Sequence, residues 1–161
     1  SNTAGSKKSF IDYQVGELID HIDGNTICEA DHLFATRLWQ NNSKVHFDIN
    51  AREDKKRLIY GGHIISLVRA LSFNGLENAQ LIVGINGGTH ANPAFAEDTI
   101  YCWSEVLEKI DLNVRNIAAL RLRSVGTKEK NHSMKVKSDD GRYLPTTVLD
   151  FDYWVLVPRE L

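Results

Sequence analysis

Hydrophobic and polar positions change period several times along this chain, and each change marks an element. Gly16 to Asp23 reads as a short strand closed by a turn at Asp23-Gly24-Asn25. Thr26-Ile27-Cys28-Glu29 has the Thr-x-x-Glu spacing in which a hydroxyl and a carboxylate satisfy free N–H groups at a helix start, so a helix is predicted from Thr26. Ile27, Ala30, Phe34 and Leu38 then recur at three- or four-residue steps as one apolar stripe, and the polar cluster Gln40 to Lys44 ends it. Residues 41 to 48 are therefore a loop, and the charged run Ala51 to Arg57 is a short solvated turn or helix. From Gly62 to Leu76 the chain is apolar on nearly every face, with Arg69 its one formal charge, which predicts a helix buried all round. Long strand-like segments follow at Leu81 to Asn86, Thr99 to Ile110, Ala118 to Lys128 and Thr147 to Val157. The charged stretch Lys128 to Asp140 between the last two is expected to be mobile.

One greasy helix and a set of long, mostly antiparallel strands have a simple common solution, a sheet wrapped around the helix. The expected class is α+β with a hot-dog arrangement, a long central helix in an antiparallel β-sheet. A single such unit leaves a sheet edge and a helix flank uncovered, so pairing of two units, as a homodimer or higher homo-oligomer or within one longer chain, is expected.

With 161 residues, 42% of them hydrophobic and 25% charged, the chain fits one domain with a substantial core. Ser1 to Ser9 reads as a tag or linker remnant and 10–161 as the single domain. Nineteen basic against 21 acidic residues leave a net charge of −2, which gives no electrostatic footprint for nucleic acid. No run approaches the roughly 20 apolar residues of a membrane span. Cys28 and Cys102 stand apart, without the paired spacing of a zinc or redox motif, so two buried thiols in a reduced, cytoplasmic setting are expected.

Candidate chemistry gathers in Trp39 to Asp48 and in Tyr60-Gly61-Gly62-His63. Asn41 and His46 lie five residues apart on a turn, a spacing at which two side chains can grip one water. Asn41 reads equally as a turn former at the helix end, and His46 as a histidine hydrogen-bonded within the loop. Backbone N–H groups of Gly62 and His63, at the positive end of the apolar helix, suit a carbonyl oxygen on which negative charge develops. The combination fits addition of water to an activated double bond. Gly61 and Gly62 allow a ligand near the backbone, or simply make a tight loop-to-helix turn; the His63 side chain touches substrate or caps the helix. Asp48 is a candidate to orient His46 or a solvated carboxylate, and of Asp31 and His32, which point about 100° apart on a helix, one is structural. Tyr60, Gly61, Asn86, His90 and Asn92 are candidate substrate-binding residues, the last three also ordinary turn formers. Arg69 needs a partner; an ion pair at a dimer interface is the first expectation, and a substrate carboxylate is the alternative, although helix geometry puts Arg69 about two turns from Gly62. Trp39, Trp103 and Trp154 are core or interface aromatics.

The order of elements, with Val15-Gly16-Glu17, Ala35-Thr36-Arg37-Leu38, Val45-His46-Phe47, the run Ile59 to Leu76, Asn92 to Tyr101 and Val148 to Tyr153, resembles the MaoC-like hydratase (dehydratase) family of hot-dog proteins over roughly residues 11 to 159. The Phe95-x-x-Asp98-Thr99 turn is broad to that family, whereas the Tyr60 to Leu76 run resembles the carboxyl-terminal half of a subtype that carries two hot-dog halves in one chain and acts on mesaconyl-CoA. The resemblance implies a hydro-lyase that reversibly adds water to a 2-enoyl-CoA thioester, here mesaconyl-CoA to beta-methylmalyl-CoA, with no metal and no cofactor beyond the CoA thioester substrate. Family members carry Asp and His at the positions of Asn41 and His46, which implies His46 as the acid–base and Asn41 as positioner of the water, since an amide takes no proton at neutral pH; the Asp-to-Asn departure leaves a non-catalytic half that completes a partner's acyl-CoA pocket as an alternative. The same fold also supports acyl-CoA thioesterases, many with an acidic residue on the central helix, and Gly62 to Leu76 contains none.

Overall fold

Five antiparallel strands in the order β1-β3-β4-β5-β2 make one sheet, with a helix laid across it. The computed structural model describes residues 7–79, 81–130 and 133–160. In chain order the elements are β1 (Leu18–Thr26), α1 (Glu29–Leu38), α2 (Gly61–Leu71), the short α3 (Phe73–Leu76), β2 (Leu81–His90), β3 (Thr99–Val114), β4 (Ile117–Thr127) and β5 (Thr147–Pro158), with 3-10 turns at Phe10–Asp12, Lys44–His46 and Ile49–Ala51. Ile64 and Val68 of α2 enter a core with Ile100, Leu122, Leu149 and Phe151 of the sheet. The sheet comes close enough to α2 that a Cβ on Gly126 would stand 2.8 Å from Val68 Cγ2. This is the expected α+β hot-dog arrangement.

The central helix is covered on one side only. Ile64 and Val68 are buried against the sheet, while Ser66 and Ala70 on the opposite side are exposed. Burial all round is therefore not reached, because a single sheet layer can cover only the helix face turned towards it. Asn74 and Gly75 leave helical geometry, Gly75 at φ +100°, so the apolar run is two helices and not one.

β1 is longer than its turn signal suggested. Asp23-Gly24-Asn25 stays within the strand: Asp20 pairs with Trp103 and Gly24 with Tyr101, so four residues are spent against two and the excess is absorbed as a bulge, with Ile22 at φ +68°. Gly24 is required there by the Tyr101 ring, which a Cβ would meet at 2.5 Å. The helix start at Thr26 is also displaced. Thr26 Oγ1 is used across the sheet on Thr99 Oγ1 at 2.8 Å, Cys28 becomes the helix N-cap, and Glu29 pairs with Arg57 instead of closing a capping box. Cys28 is exposed and Cys102 alone is buried. Within α1 the docked face carries His32, Ala35 and Thr36, while Phe34 and Leu38 are 68% and 58% exposed. The stripe thus faces outward; the side turned to the fold is the one with small residues, which let two helices approach closely.

Lys8 and Ser9 belong to the fold: Lys8 Nζ pairs with Glu17 at 2.9 Å, and Ser9, 2% exposed, bonds Asp12. Residues 1–6 of the expected remnant lie outside the described residues. The charged stretch after β4 is also tied down where it is described. Lys128 pairs with Asp98, and Val136 with Met134 packs on Trp103 and Val125.

A chain of polar side chains runs beneath α2. Arg69 Nη1 donates to Tyr153 Oη (3.3 Å), Tyr153 and Ser124 share a bond (2.9 Å), Ser124 and Ser104 the next (2.7 Å), Ser104 and His21 Nε2 the next (2.8 Å), and His21 Nδ1–H donates to the Asn74 carbonyl (2.6 Å). Arg69 also reaches Ser72 Oγ, the Ala79 carbonyl and the face of Tyr153, so its partners lie within the chain and are neutral.

Candidate active site

The loop that carries Asn41 and His46 leaves α1 through a specific C-terminal geometry. Gln40 adopts φ +53°, its N–H bonds the Arg37 carbonyl, and the Asn41 N–H reaches back to Thr36. This is a Schellman motif with glutamine where glycine is usual, and it turns the chain sharply. Asn41 Oδ1 then accepts from the Ser43 N–H at 2.9 Å, and the following turn presents His46. The loop is pinned on both sides: Leu58 N–H bonds the Val45 carbonyl and Ile59 N–H the Ala94 carbonyl, each at 2.9 Å.

His46 Nδ1 lies 2.8 Å from the Leu58 carbonyl. A carbonyl only accepts, so Nδ1 carries the proton and the lone pair is at Nε2. His46 lines a cavity of about 520 Å³. Around it stand Asn41, Leu58 and Ile59, then Tyr60, Gly61, Gly62 and Ile64 from the start of α2, and His90 to Ala94 with Val148 from the end of β2 and the start of β5. Seven expected residues therefore meet in one place: Asn41, His46, Tyr60, Gly61, Gly62, His90 and Asn92. Asn92 shapes the wall through its side-chain amide, which donates to the Leu144 and Thr147 carbonyls at 2.9 and 2.7 Å. The glycines are used by side chains of the protein. A Cβ on Gly61 would lie 2.5 Å from His90 Nε2, and one on Gly62 2.6 Å from the Tyr60 ring.

His63 and Asn86 are not brought there. The His63 N–H is spent on the Tyr60 carbonyl at 2.9 Å, and its ring, one helical step round from Gly62, faces α1 with its centroid 6.3 Å from that of His32. The backbone donors left at the helix start are those of Gly61 and Gly62, which have no intrahelical acceptor. Asn86 sits within β2, which continues to His90, and binds Asp152 Oδ1 at 2.8 Å on the exposed edge. Four residue steps of strand separate it from His90, about 13 Å of chain. Asp48 caps the turn at Ile49–Ala51 through the Asn50 N–H and does not orient His46.

Behind the cavity, His32 of α1 is fully buried between His46 and His63, with both ring nitrogens unpartnered among the described residues. Burial, and then the proximity of His63 and His46, push its pKa down to about 4, against a small opposing effect of Glu29. Burial also lowers His63. The sequence offered one signal for His32, its place on the helix face opposite Phe34, but the exposed apolar stripe pointed the other way.

This architecture is the hot-dog fold: a double-hot-dog protein from Mycobacterium tuberculosis superposes with TM-score 0.69 over 94% of this chain and 44% of its own, at 16% identity. No family model matches the sequence. It is 57% identical over 156 residues to the mesaconyl-CoA hydratase of Cereibacter sphaeroides, and 53% identical over 161 residues to the beta-methylmalyl-CoA dehydratase of Chloroflexus aurantiacus. In both cases 97% of this chain is covered and 46% of the relative, so the chain spans just under half the length of the curated relatives it matches. A MaoC domain protein of Chloroflexus aurantiacus J-10-fl superposes with TM-score 0.93 at 52% identity, over 98% of this chain and 46% of its own. The chain belongs with the MaoC-like hydratases and dehydratases of the hot-dog fold.

Proposed function

We propose that the protein is a hydro-lyase that reversibly adds water to a 2-enoyl-CoA thioester, with mesaconyl-CoA, giving beta-methylmalyl-CoA, as the preferred substrate. The observation that carries this reading is the tautomer of His46, set by the Leu58 carbonyl, with its free nitrogen at a cavity beside the first turn of α2. In this reading His46 Nε2 takes a proton from water as the oxygen bonds to the β carbon. The electron pair of the double bond moves onto the thioester oxygen, which the N–H groups of Gly61 and Gly62 hold at the positive end of the helix. His46 then returns the proton to the α carbon. Asn41 shapes the turn and offers its amide to the water, while Tyr60 and Asn92 form the wall. The sequence of steps moves no electrons to or from a cofactor, and none is included.

The exposed Phe34 and Leu38 of α1, the uncovered flank of α2 and Leu81, Val83 and Ile85 on the edge strand β2 support association with a second hot-dog unit, as a homodimer or within a longer chain. Among the described residues no helix is long and apolar enough to cross a membrane; a cytoplasmic setting accompanies the reading. One observation favours a second reading, a half that only completes a partner's pocket: Asn41 is an amide whose oxygen is already bonded to its own turn.

Loss of enoyl-thioester absorbance with mesaconyl-CoA and crotonyl-CoA tests the assignment. Turnover of mesaconyl-CoA that falls by about 10²–10⁴-fold in His46→Gln is expected for a general acid–base. A folded protein that binds but turns over neither thioester would establish the second reading in its place.

A further inference from the structure

Among the described residues, the side chains that line the cavity include no Asp, Glu, Lys or Arg. An acyl group that ends in a free carboxylate would enter such a space without a fixed counter-charge. Two imidazoles stand there, those of His46 and His90, and His46 is held through Nδ1 by Leu58 and has the acid–base part in the hydration reading. His90 is different. Its ring makes no hydrogen bond among the described residues, and it lies directly on the Cα of Gly61, where a Cβ would come within 2.5 Å of Nε2. His90 is the last residue of β2, held in register opposite Leu149, so its backbone is fixed, and its ring lines the cavity partly covered by Gly61 at the start of α2. Its imidazole therefore stands against the first residue of an 11-residue helix, at the end where N–H groups are free.

We propose that His90 recognises the free carboxylate of a dicarboxylic enoyl thioester, binding it as the imidazolium and so selecting dicarboxylic over monocarboxylic acyl groups. This rests on the hydration reading for the place of the thioester oxygen at Gly61 and Gly62. In a dicarboxylic enoyl thioester of four backbone carbons, the carboxylate is attached to the carbon that water attacks. An unpaired negative charge there opposes the approaching oxygen; an imidazolium beside it removes that opposition and leaves the carbon more electrophilic. Without ligand, burial lowers the His90 pKa, and among the described residues no charged neighbour acts on it. The other titratable groups that line the cavity are His46 and Tyr60. A carboxylate placed against Nε2 reverses the balance, so binding draws a proton onto the ring.

Saturated thioesters separate binding from turnover. Calorimetric titration of the protein with methylsuccinyl-CoA and with butyryl-CoA, in two buffers of different ionisation enthalpy at pH 7.5, counts protons taken up; the monocarboxylic ligand cancels any contribution of the CoA phosphates. Expected are a larger uptake with the dicarboxylic ligand, approaching one proton, a Kd for it that weakens by up to about tenfold per pH unit above the free His90 pKa, and loss of the extra uptake in His90→Gln. With the unsaturated pair, His90→Gln should lower the ratio of kcat/KM for mesaconyl-CoA to that for crotonyl-CoA by tenfold or more. Equal uptake with both saturated ligands, no binding of the dicarboxylic one, or an unchanged ratio in a folded His90→Gln protein would overturn the proposal. If that variant does not fold, the wild-type uptake difference and its pH dependence decide. Extra uptake without hydration of either enoyl thioester would uphold His90 as the carboxylate site and reject the hydratase reading; hydration without extra uptake would do the reverse.

Discussion

Replacing His32 with leucine tests how an unpartnered imidazole is tolerated behind the candidate site. His32 is fully buried with neither ring nitrogen bonded among the described residues, its pKa is about 4 in the fold against 6.5 for an ordinary histidine, and leucine is close to it in volume. Above pH 6.5 the group is neutral both folded and unfolded, and its titration then contributes nothing to stability. As the pH falls from 6.5 to 4 the unfolded chain binds the proton first, so the folded state loses ground, by about 2 kcal/mol at pH 5 and about 3 kcal/mol at pH 4. Removing a buried group that lacks its hydrogen bonds adds a gain of about 1–3 kcal/mol at any pH. His32→Leu should therefore match or exceed wild type in urea at pH 7.5. By pH 5 its advantage should widen by about 2 kcal/mol, roughly 1 M in midpoint for a domain of this size. His21, His63 and His90, also lowered by burial, titrate in both proteins and cancel in the difference. Wild type and variant whose midpoints stay parallel from pH 7.5 to 5 would refute the burial argument, and a variant that loses stability at both pH values would mean that the ring has a bonded partner.

Gly126→Ala places a methyl 2.8 Å from Val68 Cγ2 and 3.4 Å from Val148 Cγ2, and should cost about 1–3 kcal/mol in thermal or urea unfolding. Ser124→Ala cuts the buried polar chain between Tyr153 and Ser104, leaving an O–H without an acceptor, and should cost about 1–3 kcal/mol by the same measurement. Phe34→Glu with Leu38→Glu puts charge on the exposed stripe of α1; sedimentation velocity should show weaker self-association than wild type, with the far-UV circular dichroism unchanged.

The chain announced its sheet more readily than its first helix. β3, β4 and β5 are long because Ile100, Cys102 and Val106, then Leu120 and Leu122, then Phe151, Tyr153, Val155 and Val157 recur along them with the strand period, and that pattern is local. Thr26 and Gly24 misled for a common reason: each resembles a local device, a cap or a turn, but is used across space, on Thr99 and Tyr101. The outward stripe Phe34 and Leu38 followed helical periodicity faithfully, yet periodicity does not say which face the rest of the chain will cover. At the candidate site, residues near a turn or element end were legible, as with His46 and Gly62. Asn86 was misplaced because β2 continues through its glycines to His90, and His63 because the backbone donor next to Gly62 is consumed by Tyr60.

The polar chain under α2 has one further property. A row of hydroxyl groups can ordinarily point its hydrogens either way, as in ice, and the two directions have nearly equal energy. Here both ends are polarised: Arg69 can only donate, and the Asn74 carbonyl can only accept. With His21 neutral, Tyr153 must give to Ser124, Ser124 to Ser104 and Ser104 to His21 Nε2. The row has one hydrogen order instead of two, and a permanent dipole crosses the core with its negative, oxygen end turned to Arg69 and its positive, hydrogen end to His21. A second proton on His21 would demand that the entire row reverse and that the Tyr153 hydroxyl find a new acceptor, so burial, which lowers the His21 pKa most, is seconded by a cation four hydrogen bonds away.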